Sequence, residues 1–159
     1  MGIDSNIQIR PASIDDKEFI LSLLPRLVEF GPPAWRNGNQ MTVIDQQVLS
    51  DKLSNPQPGT AIFIAQDSSG LPLGFIDLQT GTDYYNHEAH GHIANIIIAR
   101  EGEGRGIGRL LLEKAEAWAR SQGYGWLTLS VFIQNLRARE VYKRLGYGED
   151  IMKYVKELT

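Results

Sequence analysis

The run from Ile96 to Leu112, IIIAREGEGRGIGRLLL, predicts a buried strand, then a glycine-dense turn, then the first turns of an amphipathic helix. Glycines at positions 102, 104, 106 and 108 leave backbone N–H groups open to close approach by a ligand. The helix that follows adds unpaired N–H groups and the positive end of its dipole. The run therefore predicts an anion site of the kind that holds phosphates, and Arg105 and Arg109 add positive charge to it.

The spacing of this turn excludes two common phosphate-binding motifs. It has no Gly-Lys-Ser/Thr ending, so it is not a nucleotide P-loop. In a G-x-G-x-x-G dinucleotide fingerprint, Arg109 would occupy the third glycine position when the motif is read from Gly104. Ile107 would occupy that position when the motif is read from Gly102. A tight structural turn without any ligand remains the alternative.

A second motif lies downstream, where residues 127–132 predict a strand and residues 135–147, NLRAREVYKRLGY, predict a helix. Here the chain resembles the GNAT superfamily of acetyl-CoA-dependent N-acetyltransferases. That family has [Q/R]-x-x-G-x-[G/A] after its fourth strand and N-x-x-A-x-x-x-Y-x-x-x-G-[F/Y] after its fifth. The second pattern is matched by Asn135, Ala138, Tyr142, Gly146 and Tyr147.

Hydrophobic periodicity predicts the order of elements along the chain. Strands are expected at residues 7–10, 60–65, 73–79, 90–99, 126–132 and 151–158, and helices at 14–29, 43–54, 107–122 and 135–145. Residues 34–41 are expected to be irregular and residues 80–89 to form a loop. One domain over residues 1–159 is expected, with its core at about 7–158. The resemblance implies an α/β (α+β) fold in which a mixed central sheet of about six to seven strands is flanked by about four helices. In that fold the fourth and fifth strands splay apart, and the cofactor lies between them.

Composition narrows the classes of function. The 159 residues carry a net charge of −3, which gives no reason to expect nucleic acid or an anionic membrane as a partner. The chain has no cysteine, which excludes a disulfide, a thiol nucleophile and a thiolate metal site. No apolar run reaches membrane-spanning length and the N-terminus shows no signal pattern, so a cytoplasmic protein is expected.

The resemblance also implies which residues hold acetyl-CoA. The pantetheine arm is expected on the strand backbone, and the pyrophosphate on the N–H groups of the turn. Glu103 departs from the family pattern because it stands where Gln or Arg is usual, so its carboxylate must point away or pair with Arg105 or Arg100. Asn135 is expected to cap the last helix and to touch the cofactor. The expected cofactor residues are Ile96, Ile97, Ile98, Glu103, Gly104, Arg105, Gly106, Ile107, Gly108, Arg109, Asn135 and Tyr142.

The catalytic residues follow from the same comparison. The resemblance implies that Tyr142 protonates the departing CoA thiolate, whereas a packing role in the core is the alternative. Many relatives carry a glutamate on the fourth strand, at the position of Ala94 in this chain. His92 is the expected base, because strand alternation puts His90, His92 and Ala94 on one face and histidine titrates in the right range. His90, His87 and Glu88 are further candidates, and a packing histidine with an ordered water as base is the alternative.

The acceptor is expected to be an amine of a small molecule or a peptide. Asp83, Tyr84 and Tyr85 in the loop before the fourth strand are candidates to bind it, with Trp35 on the opposite wall. The three histidines do not have the spacing of a metal site, so no metal is expected. The expected reaction is direct attack of the amine on acetyl-CoA in a ternary complex, with a strand N–H near Ile97 polarising the carbonyl. The alternatives are a non-catalytic acyl-CoA-binding module and a nucleotide-phosphate binder. A homodimer is possible, since dimers are common among the proteins that the chain resembles.

Overall fold

The computed structural model describes residues 2 and 4–159, which form one five-stranded sheet with four α-helices. The strands stand in the order β1-β2-β3-β4-β5, and every neighbouring pair is antiparallel except the parallel pair β4–β5. The strands are β1 Gln8–Pro11, β2 Ala61–Gln66, β3 Pro72–Thr82, β4 Ala89–Ile98 and β5 Leu127–Leu129. The helices are α1 Lys17–Leu23, α2 Gly38–Ser54, α3 Ile107–Ser121 and α4 Leu136–Arg144.

The sheet is covered on both faces, because alternate residues of its central strands are apolar on each side. Phe75 of β3 and Ile97 of β4 pack against α1 and α2 on one face. Ile76 and Leu78 of β3 pack on the other face against α3, which buries Leu111 among other side chains. We call the face that packs against α1 and α2 the α2 face, and the face that packs against α3 the α3 face.

The prediction of one helix over residues 14–29 is wrong, because Pro25 interrupts it. A proline has no N–H and its ring clashes with the carbonyl four residues earlier, which ends an α-helix. Helix α1 accordingly ends at Leu23, and the chain continues as a 3₁₀ helix over Leu24–Val28. The Leu21 carbonyl, which residue 25 would have paired in a continuous helix, accepts a hydrogen bond from Gln46 Nε2 at 3.3 Å.

Helix α2 begins earlier than predicted, inside the stretch that was expected to be irregular. Asn37 caps it by accepting a hydrogen bond from the Gln40 N–H at 3.0 Å. The cap offsets the poor helix propensity of Gly38 and Asn39, which had hidden this start in the sequence.

A β-bulge in β4 changes which residues share a face. Asp77 and Leu78 of β3 pair with Asn95 and Ile93, so Ala94 is an extra residue without a partner across the ladder. The simple alternation from which a common face of His92 and Ala94 was predicted is therefore interrupted at Ala94. His92 pairs with Gln79 and shares the α2 face with Asn95, on the other side of the bulge.

The predicted splay of the fourth and fifth strands is confirmed. Strands β4 and β5 pair only where Gly91–Ile93 face Leu127–Leu129. From Ala94 onward β4 continues along β3 while the chain after β5 turns away, so β5 is shorter than the predicted 126–132. A V-shaped gap therefore separates β4 from the chain after β5. One edge of β4 has no strand partner along this gap, from the bulge to Ile98, and the bulge lies at the vertex, where the two strands meet.

The predicted last strand over residues 151–158 is wrong as well, and the sheet has five strands instead of six to seven. Residues 150–159 are all exposed and belong to no helix or strand. A strand is stabilised by pairing and by burial of one face, and this segment has neither within its own chain. Within the part of the chain that the structure describes, no helix is long and apolar enough to cross a membrane.

Candidate active site at the gap between β4 and β5

The glycine turn that joins β4 to α3 needs its glycines for different reasons. Gly104 and Gly106 have φ of 75° and 76°, in the left-handed region that favours glycine. At Gly102 a Cβ atom would come within 2.9 Å of Ile107 Cδ1, so close packing requires glycine. Gly108 has an ordinary φ, and a Cβ atom there would meet nothing within 4 Å. The protein itself does not require a glycine at position 108, whereas a ligand lying on the helix start would.

The backbone N–H groups of this turn are available to a ligand. Among the described residues, no acceptor makes a hydrogen bond of normal geometry with the N–H groups of residues 104–109, although residues 103–106 form turns. Gly106 caps α3 without a side-chain bond, and the first intrahelical bond runs from the Leu110 N–H to the Gly106 carbonyl. Six consecutive donors and a helix N-terminus therefore converge at one place, which is the requirement for binding a phosphate through the backbone.

The charged side chains around the turn are paired with one another. Glu103 accepts from Arg26 at 2.5 Å, and this bond lowers the pKa of its carboxyl. The expected partners were Arg100 and Arg105, which instead bind Glu29 and Asp4. Arg26 also donates to the Ile98 carbonyl and so joins the end of β4 to the turn. Sequence reasoning missed Arg26, because it lies more than 70 residues from both partners.

The side chains of two of the predicted arginines are paired with carboxylates. Arg105 donates twice to Asp4 Oδ2, at 2.8 and 2.9 Å, and its guanidinium is held at the N-terminal segment. Arg109 binds Glu113 one turn along α3 at 3.0 Å and is largely exposed. Their backbone N–H groups remain part of the open set of donors.

The edge of β4 presents to the gap the N–H and carbonyl of Ile96 and the N–H of Ile98, whose carbonyl accepts from Arg26. The Ala99 N–H donates to the Leu73 carbonyl of β3 at 2.8 Å, which fixes the phase of the antiparallel ladder. Ile97 consequently directs its N–H and carbonyl toward β3. The N–H groups near Ile97 that are directed toward the gap are those of its two neighbours, Ile96 and Ile98.

His92 lies at the vertex on the α2 face, where β5 still pairs with β4. Its Nδ1 is 2.9 Å from Thr128 Oγ1, and the Thr128 hydroxyl is 3.4 Å from the Gly91 carbonyl. When the hydroxyl donates to Gly91, its oxygen accepts from Nδ1–H, and the proton-free nitrogen is Nε2. Burial, with help from His90 and Lys52, lowers the pKa of His92 and so favours the neutral form that can act as a base.

A buried charged cluster stands beside His92. Asp77 is 0% exposed, and its carboxylate accepts from Lys52 Nζ at 3.0 and 3.2 Å and from Asn95 Nδ2 at 3.1 Å. Lys52 also donates to Gln79, the strand partner of His92, at 3.0 Å. Burial raises the pKa of Asp77 despite these bonds. Sequence reasoning missed the cluster, although an aspartate between Phe75-Ile76 and Leu78 in an apolar strand was a signal for it.

Helix α4 brings Tyr142 to the opposite face of the sheet. Asn135 caps α4, as predicted, by accepting from the Ala138 N–H at 3.3 Å. Tyr142 packs against the core beneath α3, and burial raises its pKa, so that its hydroxyl keeps its proton at neutral pH. That hydroxyl makes no hydrogen bond with any described residue. Tyr147 stacks edge-on to it at 5.9 Å, and burial raises the pKa of Tyr147 to about 12.

The acceptor candidates fall into two groups. Asp83, Tyr84 and Tyr85 form the turn between β3 and β4, where Tyr84 and Tyr85 are 84% and 89% exposed. That turn precedes Ala89, which lies three positions, about 10 Å, from His92 and five positions, about 17 Å, from Ala94. The structure does not bring these three residues to the vertex, nor the exposed His87 and Glu88 of the same turn.

Trp35 lies in a segment that reaches across the mouth of the gap. Phe30 stacks on Phe132 of the β5–α4 loop with ring centroids 5.5 Å apart, and the Arg36 guanidinium lies 5.9 Å from the same ring. Half-exposed Trp35 lies between these two contacts in sequence. The described residues include no group of three or more His, Asp or Glu side chains arranged to hold a metal.

Comparison with known proteins identifies the family. The model of the Acetyltransferase (GNAT) family matches residues 25–147. An uncharacterized N-acetyltransferase of Methanocaldococcus jannaschii is 34% identical over 89 residues, which are 55% of this chain and 39% of that protein. An aminoglycoside N(6')-acetyltransferase type 1 of Stenotrophomonas maltophilia is 26% identical over 92 residues, 56% of this chain and 60% of that protein. The chain thus matches less than two thirds of the length of either curated relative.

Solved structures show the same fold at low identity. A GCN5-related N-acetyltransferase from Ralstonia eutropha JMP134 gives a TM-score of 0.75 at 22% identity, covering 96% of this chain and 98% of that one. The aminoglycoside N-acetyltransferase AAC(6')-Iy in complex with CoA gives 0.70 at 20% identity, covering 99% of each chain. The family match, the parallel β4–β5 pair with its open gap and the glycine turn agree with one another. The chain belongs to the GNAT family of acetyltransferases.

Proposed function

We propose that this protein transfers an acetyl group from acetyl-CoA to a primary amine, with the CoA in the gap between β4 and β5. One observation carries the proposal: the six N–H groups of residues 104–109, which have no hydrogen-bond partner among the described residues, lie at the end of an open strand edge, beside Gly108, where a Cβ atom would meet nothing within 4 Å. The open edge from Ala94 to Ile98 runs for four residues, about 13 Å. An extended ligand with a phosphate at one end fits such a track.

Three groups of the chain would then serve the reaction. Acetyl-CoA supplies an activated acetyl thioester at the vertex. His92 Nε2 accepts the proton of the acceptor ammonium from the α2 face. The Ile96 N–H, which faces the gap, donates to the acyl oxygen where negative charge develops. Tyr142, on the α3 face, holds at its hydroxyl the proton that the leaving sulfur needs. Acid and base stand on opposite faces of the sheet, so neither competes for the other's proton.

The acceptor is proposed to be a primary amine of a small molecule or a peptide. Two of the similar proteins are aminoglycoside acetyltransferases by name, which favours a small-molecule amine. The segment around Trp35 and the α2 face are the surfaces from which such an amine reaches His92. The turn at Asp83, Tyr84 and Tyr85 lies beyond the vertex at the start of β4, so it would contact the amine away from the reacting end.

Calorimetric titration with CoA tests the cofactor site. Gly108→Glu places a carboxylate among the N–H donors and is expected to abolish CoA binding. It should leave the fold intact, because the position is open and glutamate is a better helix former than glycine. Gly125→Glu is the matched control, since Gly125 is also open with an ordinary φ but lies outside the turn. Loss of binding in both variants, or in neither, would contradict the proposed site.

Activity is measured as thiol release from acetyl-CoA with a panel of primary amines. The chain has no cysteine, so every thiol that a thiol reagent detects comes from CoA. A second candidate function, an acyl-CoA-binding module without catalysis, is favoured by one observation: Ala94 offers no carboxylate at the vertex. The module would be favoured over the enzyme if CoA bound but no amine caused thiol release, and if the Tyr142→Phe variant bound CoA as the unmodified chain does.

A further inference from the structure

Helix α2 crosses the gap on the α2 face of the sheet. Arg36, just before the helix, lies 5.9 Å from the centroid of the Phe132 ring in the β5–α4 loop, on the far wall of the gap. Lys52, near the other end of the helix, donates to Asp77 of β3 at 3.0 Å. Because β4 stands between β3 and β5 in the sheet, the middle of α2 lies over β4 and the mouth of the gap.

Asp45 is the charged residue in the middle of α2 that is turned toward the sheet. It stands four residues before Leu49 and seven before Lys52, so the three side chains share one side of the helix. Leu49 is 0% exposed and packs in the core of the α2 face. Asp45 is half-buried, whereas Asp51 on another side of the same helix is exposed. The carboxylate of Asp45 therefore faces the sheet beside the gap.

This carboxylate has no cationic partner within the part of the chain that the structure describes. Burial raises the pKa of the Asp45 carboxyl, and the charge of Asp77 raises it further. Neither a hydrogen bond nor a nearby positive charge acts in the opposite direction. An ionised carboxylate that is partly removed from water costs free energy unless a positive group accompanies it. The group that would complete this site is therefore a cation.

The proposed base and Asp45 lie on the same face of the sheet, and Asp77 is near both. Burial lowers the pKa of His92, and the charge of Asp77 opposes this effect. Asp77 thus acts electrostatically on His92 as well as on Asp45. Asp77 is itself paired with Lys52 and buried, so it is not available to a ligand. An amine that reacts beside His92 therefore has one unpaired carboxylate, that of Asp45, within the same region.

We propose that Asp45 binds a second cationic group of the acceptor, so that the preferred substrate is a diamine or another amine that carries a second ammonium group. This inference rests on the proposed function, because it names the acceptor of the same site. The reacting nitrogen must lose its proton to attack the thioester, and a carboxylate next to it would favour the protonated form. The second nitrogen stays protonated at neutral pH, as an alkylammonium with a pKa of about 10.4 does. It is therefore the second nitrogen that pairs with Asp45.

Amine binding to the complex with CoA tests the proposal without turnover, because CoA carries no acetyl group. NMR titrations with cadaverine and with pentylamine compare two ligands that differ only in a second terminal amine. The unmodified chain is expected to bind cadaverine about tenfold more tightly. Asp45→Asn should remove most of this difference. Asp51→Asn, the charge-matched control on α2, should keep it.

The titrations overturn the proposal if the unmodified chain binds cadaverine no more tightly than pentylamine, which includes the case in which neither binds. A preference for cadaverine that survives in Asp45→Asn overturns it as well. Asp45→Asn is expected to fold, because it removes an unpaired, half-buried carboxylate and keeps the shape of the side chain. Its Tm at neutral pH should be no lower than that of the unmodified chain.

Thiol release from acetyl-CoA separates a failure of this inference from a failure of the proposed reaction. The ratio of kcat/KM for cadaverine to that for pentylamine is expected to fall about tenfold in Asp45→Asn and to stay unchanged in Asp51→Asn. Equal kcat/KM for the two amines in the unmodified chain would overturn the cation site and leave the reaction standing. An equal loss for both amines in Asp45→Asn would overturn it too, because Asp45 would then act on the reacting nitrogen. Binding that depends on Asp45, with no thiol release, would support the cation site and count against the reaction.

Discussion

At the scale of single residues, the Tyr142 hydroxyl is the group whose proton the proposed reaction uses. Tyr142→Phe removes that proton donor and keeps the ring in the core, so kcat is expected to fall by about 10²-fold with little change in CoA affinity. Tyr147→Phe is the control, since the Tyr147 hydroxyl is buried and has no partner among the described residues. That variant should keep kcat and gain about 1 kcal/mol in unfolding free energy. Equal kcat for the two variants would remove Tyr142 from the mechanism.

His92 gives a prediction about pH. Its pKa is lowered by burial first, so the folded protein holds it neutral at pH values where an unfolded histidine, with pKa about 6.5, is already protonated. The acid limb of the pH profile of kcat/KM is therefore expected below 6.5, and His92→Gln should abolish that limb. By linkage, His92 also costs stability as the pH falls through 6.5. Titration of the His92 ring by NMR, with the Gln variant to assign it, measures the same pKa without any substrate. A pKa above 6.5 would contradict the role of His92 as base.

The residues that sequence could predict are those set by local motifs. The glycine turn and Asn135 depend on neighbours within a few positions, so their pattern was visible. Arg26 and Lys52 act on partners that only the folded chain brings near, and nothing local marked them. His92 was predicted from an alternation that the bulge at Ala94 interrupts, so its position on the α2 face is seen only from its pairing with Gln79. A bulge depends on two strands pairing, which a single strand's alternation does not report.

At the scale of elements, the Lys52–Asp77 pair joins α2 to β3. The side chain of Lys52 is 20% exposed and that of Asp77 is 0% exposed. Removal of the lysine therefore leaves the buried carboxylate of Asp77 without its cationic partner. Removal of the carboxylate leaves a lysine whose ammonium group can reach water. Lys52→Met is therefore expected to cost about 3 kcal/mol in unfolding free energy at neutral pH. Asp77→Asn should cost less. Urea unfolding of both variants measures the asymmetry, and equal losses would contradict it.

The same pair predicts how that loss depends on pH. Without Lys52 the pKa of Asp77, already raised by burial, rises further above its unfolded value of about 3.9. A carboxyl group whose pKa is raised by folding contributes stability at pH values below its unfolded pKa, and this contribution is lost as the pH rises through the folded pKa. The deficit of Lys52→Met should therefore shrink toward pH values of about 4, and the double variant with Asp77→Asn should lose this dependence. A loss of unfolding free energy that stays constant with pH would mean that lost packing, and not the unpaired carboxylate of Asp77, is responsible.

Elements were predictable where their own sequence determined them. Strands β2 to β4 and helices α3 and α4 follow periodicity, and the capped start of α4 follows Asn135. The first helix is interrupted although its apolar pattern continues. Pro25 ends α1, so the effect of one proline outweighed the helical periodicity of the apolar residues. Strand β5 and the segment 151–158 show the opposite case. Both have strand sequences, yet strand length is set by the partner that is available to pair.

At the scale of the whole molecule, the gap exists because the parallel pair β4–β5 is short. Three paired residues hold the vertex, and the rest of β4 has an open edge that leads directly to the unpaired N–H groups of the turn. The same short pairing leaves β5 as a weakly held wall with a free outer edge. The feature that makes room for a ligand therefore also leaves one wall of the gap without a strand on its outer side, among the described residues.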